Sequence, residues 1–155
     1  MANGHTDRPL HPVVVHCILL QRDQVYLMRR FQTGFADGYY SLPGGYWEAG
    51  ESLHQACARE CAEEAGVTLS DSRLLTTMTY RRARPGPLTQ GINAVFVSES
   101  FSPQPKIMES HLCDQADFYD INQLPEPLIG WVGELLKDLP KLLGGNPALR
   151  ELLYP

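Results

Sequence analysis

Three glutamates on one prospective helical face are the residues of this chain best suited to chemistry. Glu60, Glu63 and Glu64 stand at i, i+3 and i+4, so a helix through them gathers their side chains within a sector of about 100°. Like charges at that spacing destabilise a helix by about 0.2–0.5 kcal/mol per pair. For an isolated ExxEE run a solvated face is the ordinary explanation, but it leaves this repulsion uncompensated. A hard divalent cation would convert it into ligation, because Mg²⁺ takes oxygen ligands, commonly a few carboxylates completed by water and substrate phosphate. Arg59 directly precedes the cluster, and Gly45 and Glu51 lie upstream. The double glycine of Pro43-Gly44-Gly45 permits backbone angles that other residues resist, so the Gly45 carbonyl could turn toward the same cation.

These groups need a frame. Ser52 suits the N-cap of a helix running to about Ala65, with Gly66 as its stop. Ala58, Cys61, Ala62 and Ala65 fall opposite the glutamates and suit close packing on a sheet. Residues 13–20 and 24–30 read as strands joined by a hairpin turn at Arg22-Asp23-Gln24. Residues 31–39 read as a loop, followed by a short strand into Pro43. Residues 73–82 and 91–100 read as a strand pair joined through residues 84–87, and a third strand lies near 115–121. Leu128–Leu139 has helical periodicity, with Ile129, Val132, Leu135 and Leu136 on one side and Pro127 at its start. The sum is a mixed sheet with at least two helices on its faces, α+β or α/β in class.

Size and charge bound the rest. The 155 residues form one domain, 1–155, with a core over about 13–137 and a tail, 138–155, of no evident role. The net charge of −5 argues against a nucleic-acid polymer or an acidic membrane as partner. The longest apolar run, VVVHCILL, is too short to span a bilayer, and the N-terminal residues lack a signal-peptide pattern; a cytoplasmic location is expected. Cys57 and Cys61 are one helical turn apart, which could be half of a zinc site, but no partner pair with ligand spacing accompanies them. Cys17, Cys57, Cys61 and Cys113 are expected to be reduced and mostly buried.

The spacing of Gly45, Glu51, Arg59, Glu60, Glu63, Glu64 and Gly66 resembles the Nudix box, G-x5-E-x7-R-E-U-x-E-E-x-G-U with U apolar, at every fixed position. Accidental agreement at all of them is on the order of one in a million. Cys61 occupies one U position, where the family usually has a larger aliphatic residue. The segments Gly34–Gly45 and Phe118–Glu126 also resemble elements of MutT-type Nudix hydrolases. The resemblance implies an α/β/α sandwich and metal-dependent hydrolysis of a nucleoside diphosphate linked to another group. It implies Glu60, Glu63 and Glu64 as ligands of Mg²⁺, or Mn²⁺, with the Gly45 carbonyl a weaker candidate. Arg59 is expected on a different side of the helix, paired with Glu51. Glu60 is the first candidate for the general base and Glu109 the second, since Gln115 stands where relatives often carry a late glutamate; Asp114 lies nearby.

Softer candidates are Arg29, Arg30, Arg81, Arg82 and Arg84 for substrate phosphates, and Tyr39, Tyr40, Tyr46 and Trp47 for stacking on a base. Strand-end arginines and core or rim aromatics are the simpler explanations. His16, inside an apolar strand, reads as a satisfied structural histidine. The partner is a small nucleotide, with nucleoside triphosphates slightly favoured. A homodimer remains open through the leucine-rich tail. A non-catalytic nucleotide or ADP-ribose sensing module is the alternative, though it would be expected to show a damaged box, and RNA decapping would want a basic track.

Overall fold

Alternation along two strands decides the layering. In β1 (Val13–Gln21), Val15, Cys17 and Leu19 enter one apolar cluster, whereas Ile18 and Leu20 enter another. In β2 (Gln24–Arg30), Tyr26 and Met28 separate from Val25 and Leu27 in the same way. Strands apolar on both faces must be covered on both. A computed structural model shows how; it describes residues 10–81 and 90–145, and the backbone of 148–153.

The remaining strands are β3 (Tyr40–Ser41), β4 (Gly44–Tyr46), β5 (Thr68–Leu69), β6 (Arg73–Arg81), β7 (Gln90–Ser98), β8 (Phe101–Ser102), β9 (Cys113–Asp120) and β10 (Ala148–Leu153). The main sheet runs β10-β6-β7-β1-β2-β3, with β4 also on β1 and β9 on β2. It is mixed: β1–β7 and β10–β6 are parallel and the other pairs antiparallel. Helix α1 (Leu53–Ala65) covers one face, and α2 (Gly130–Lys137) and α3 (Leu139–Leu143) cover the other. This is the α+β sandwich, with a mixed sheet between helices, that the sequence suggests.

Several expectations are refined. The second helix does not start at Pro127. Tyr40 donates its N–H to the Pro127 carbonyl, Ile129 donates to the Tyr40 carbonyl, and Leu128 bridges Tyr40, so 127–129 stay extended and α2 begins at Gly130. The segment after Lys137 supplies Leu139 and Leu142 to the core. The turn at 84–87 lies outside the described residues, as do Arg82 and Arg84.

The buried face of α1 also differs. It comprises Ala56, Cys57, Glu60, Cys61 and Ala65, whereas Ala62 is exposed. The helix sits rotated so that one of its glutamates enters the interface with the sheet.

Candidate active site

Helix α1 is held at both ends. The Ser52 Oγ accepts the Gln55 N–H at 3.2 Å and the Gln55 Oε1 accepts the Ser52 N–H at 2.7 Å, a reciprocal cap. Gly66 ends the helix in the left-handed region, at φ 67°, and returns its N–H to the Ala62 carbonyl. The following loop docks on that end: Lys106 donates its N–H to the Ala65 carbonyl and Met108 to that of Glu64. This carries Glu109 to the wall of the cavity that the α1 glutamates line. Its carbonyl then accepts the Leu112 and Cys113 N–H groups as β9 begins.

The glycine turn meets the helix closely. The Gly44 N–H donates to Glu64 Oε2 at 2.8 Å. A Cβ on Gly45 would stand 2.5–2.6 Å from the carboxylate atoms of Glu60, so a side chain there would push Glu60 aside. Glycine at 45 is a requirement of packing.

Arg59 binds Glu51 with a two-pronged fork, Nε to Oε2 at 3.1 Å and Nη2 to Oε1 at 2.8 Å. Its Nη2 also donates to the Tyr46 carbonyl at 3.0 Å. Contrary to its helical-wheel position, Arg59 is not confined to another side of the helix. Its Nη1 reaches Glu60 Oε1 at 2.7 Å and Glu63 Oε2 at 3.2 Å, because the long side chain curls back over the turn. Glu51 additionally accepts the Glu48 N–H at 2.9 Å, and its carbonyl accepts Trp47 Nε1–H at 2.7 Å. The loop before α1 is thus tied to the carboxylate face.

The electrostatics follow from burial. Glu64 is pushed up to about 8, first by burial, against the Gly44 hydrogen bond, with Glu60 and Glu109 adding repulsion. Burial also raises Glu60, against Arg59 and with Glu63 and Glu109 adding repulsion. Glu51 is lowered by the Arg59 guanidinium. Glu60, Glu63, Glu64 and Glu109 line one cavity of about 790 Å³. Carboxylate oxygens gathered on one cavity are a donor set for a hard divalent cation, and the donors present fit one. Glu63 and Glu64 are meanwhile turned to Arg59 and Gly44, and among the described residues no three glutamate oxygens converge within 4.8 Å.

The softer candidates divide. Arg29, which lines the cavity, is engaged with Asp114 through two bonds of 2.8 Å. Gln115 Nε2 donates to the Tyr119 hydroxyl at 3.4 Å. Arg30 lines the cavity and holds the loop after β2, donating to the Phe35 carbonyl at 2.8 Å and to Thr33 Oγ1 at 2.9 Å. Tyr40 is core, whereas Tyr46 lies on the rim.

His16 is not the satisfied histidine expected. Its Nδ1 is buried and finds no hydrogen-bond partner among the described residues. Burial lowers its pKa to about 4, against a hydrogen bond with Asn93, so the ring is neutral at pH 7. It packs on Trp131, ring centroids 4.6 Å apart, and both line the cavity with Asn93, Tyr80 and Ile129. Sequence reasoning passed over Trp131, Asn93 and Tyr80. The only signal was polar or aromatic character inside elements that otherwise read as core.

Comparison with known proteins identifies the fold and the family. The structure resembles the MutT Nudix hydrolase of Burkholderia pseudomallei, with a TM-score of 0.76, 23% identity, and coverage of 83% of this chain and 97% of that one. In sequence the chain is 29% identical over 117 residues to an ADP-ribose pyrophosphatase of Methanocaldococcus jannaschii, covering 76% of this chain and 67% of the relative. It is 29% identical over 127 residues to the NAD-capped RNA hydrolase NudC of Escherichia coli, covering 81% of this chain but 46% of that protein, so it spans about half the relative's length. The profile of the NUDIX domain matches residues 9–139, most of the chain, and the protein therefore belongs to the NUDIX domain family.

Proposed function

We propose that the protein hydrolyses the pyrophosphate linkage of a nucleoside diphosphate joined to a further group, using Mg²⁺ or Mn²⁺ held by Glu60, Glu63, Glu64 and the Gly45 carbonyl. The observation that carries this reading is the burial of two adjacent helix carboxylates, Glu60 and Glu64, both raised in pKa, in a cavity that also contains Glu109. A bound divalent cation supplies neutralisation of the pyrophosphate oxygens and of the charge that develops as phosphorus is attacked.

The chain's own groups do the rest. Arg59 keeps Glu51, Glu60 and Glu63 in register through its fork. Glu60 Oε1 is committed to Arg59, and a carboxylate serving as ligand has little basicity left to take a proton. Glu109 stands on the same cavity without such a commitment. We therefore assign it to accept the proton of the attacking water, ahead of Glu60. At the other end, Trp131 and Ile129 offer apolar surface, and Asn93 and His16 offer polar edges. That combination suits a nucleoside. The ADP-ribose pyrophosphatase relative makes ADP-ribose a first substrate to test, beside nucleoside triphosphates.

The experiment is a turnover screen with Mg²⁺ over nucleoside triphosphates, ADP-ribose, dinucleoside polyphosphates and nucleotide sugars, run beside Glu63→Gln. The expected result is nucleotide or phosphate-type product from at least one class, largely lost in the variant. Tight binding with no turnover of any class by the parent would instead favour a sensing module.

A further inference from the structure

Beside the carboxylates, on the buried face of α1, lies a second group of ligating side chains, which the reaction does not use. Cys17 of β1 and Cys57 and Cys61 of α1 bring their Sγ atoms within 4.8 Å of one another. All three are free and buried. Cys57 and Cys61 share a helix face at i, i+4, and the facing strand supplies the third sulfur. That strand is anchored locally, since the Cys17 N–H donates to the Pro43 carbonyl at 3.0 Å. Cys113 is buried too, but its thiol points to the Gln115 carbonyl at 3.4 Å and stands outside the group.

Buried thiols ordinarily pack as small hydrophobes, and packing alone does not require three of them to converge on one point. With no two of the sulfurs more than 4.8 Å apart, a point exists that is no more than about 2.8 Å from each, and a thiolate–metal bond is about 2.3 Å long. A contraction of at most about half an ångström would therefore complete three bonds.

An all-sulfur set rejects hard cations and selects soft ones such as Cu(I). The surroundings add a coordination criterion. Val15, Ala56, Ala65, Ala94 and Phe96 enclose the sulfurs in apolar side chains that offer no fourth donor. Structural Zn²⁺ is almost always four-coordinate, so a set of three sulfurs favours a monovalent soft ion, with the thiol protons released as the metal bonds form.

We propose that Cys17, Cys57 and Cys61 form a three-coordinate site for a monovalent thiophilic cation of the Cu(I) type, which clamps α1 onto β1. The site is independent of the assigned hydrolysis and involves no redox step, since the ion enters and stays as Cu(I).

The test titrates reduced, metal-free, full-length protein with Cu(I) under anaerobic conditions, in competition with a chromogenic Cu(I) chelator. One equivalent should be withdrawn from the chelator, with ultraviolet thiolate-to-copper absorption and a raised thermal midpoint. Cys113→Ala should behave as the parent. Cys57→Ala and Cys61→Ala should each weaken binding by about a hundredfold or more, because losing even a partner that only orients a ligand costs roughly ten- to a hundredfold. Excess Mg²⁺ should not compete. Should the alanine variants fail to fold, X-ray absorption of the parent's copper complex decides alone, with three sulfur neighbours expected. Failure to withdraw copper, affinity unchanged in folded Cys57→Ala and Cys61→Ala, or a copper shell containing nitrogen, oxygen or fewer than three sulfurs would overturn the proposal.

Discussion

One end of the cavity draws Arg59, Glu60, Glu63 and Glu64 from a single stretch of α1. The other draws His16, Tyr80, Asn93 and Trp131 from β1, β6, β7 and α2. The α1 carboxylates need only helix geometry and one glycine turn to assemble, and Glu109 joins them through the loop docked on the end of α1. The aromatic end needs the sheet to place β7 beside β1 and β6 beside β7, and then α2 to pack where His16 meets Trp131. The α1 part of the charge machinery is therefore written locally, while the surface that would read a nucleoside is a product of strand order. Substitution can alter the second without touching the first.

If that division is real, the largest effect belongs to the acidic end. Glu109→Gln should lower kcat by about a hundred- to ten-thousandfold, the usual range for a general base. A Glu109→Gln enzyme with near-parental kcat would move the base to Glu60.

Next is a pH effect on the stability of the metal-free protein. Glu64 is pushed up to about 8 in the folded state from an ordinary 4.5. Between these values the native chain binds more protons than the unfolded one, so stability falls as pH rises through this window. A tenfold change in proton affinity is worth about 1.4 kcal/mol, which makes the full decline on the order of a few kcal/mol. Glu64→Gln should flatten the decline in denaturant titrations at pH 5 to 8, and Mg²⁺ should restore stability at the upper end only in the parent. Parallel parent and variant curves would show that Glu64 titrates normally.

A smaller effect is expected at the aromatic end. Trp131→Leu keeps apolar bulk and removes the ring. Base–aromatic stacking is worth about 1–3 kcal/mol, so KM should rise roughly five- to 150-fold while kcat changes little. A change confined to kcat would break the assignment of this end to binding. The smallest effect concerns the frame itself. Ser52→Ala removes the N-cap bond to Gln55 and should cost about 1 kcal/mol in chemical denaturation, with the substrate preference intact.

Much of the first end was legible from residue spacing. The span of α1, its Ser52 cap and its Gly66 stop follow from local rules, because capping and helix periodicity involve residues within a few positions of one another. The reach of Arg59 to Glu60 and Glu63 was missed, since a wheel projects Cα directions and ignores how far a long side chain bends back. The start of α2 was misplaced for a different reason. Leu128 and Ile129 fit a helix by pattern, but the backbone groups of Tyr40, 88 and 89 residues upstream, claim this segment as extended chain.

The thiol cluster shows the same boundary. Cys57 and Cys61 are visible as a pair one turn apart, and no local rule can supply Cys17, forty residues earlier. The sequence alone determined the family, the helix bearing the carboxylates and the alternation that buries both faces of β1 and β2, because each is encoded in short-range spacing. Only the tertiary structure decided which face of α1 turns inward, what lies across the cavity from the glutamates and where a third sulfur joins the other two. Those depend on contacts between segments distant along the chain, which are set when the sheet and helices pack together.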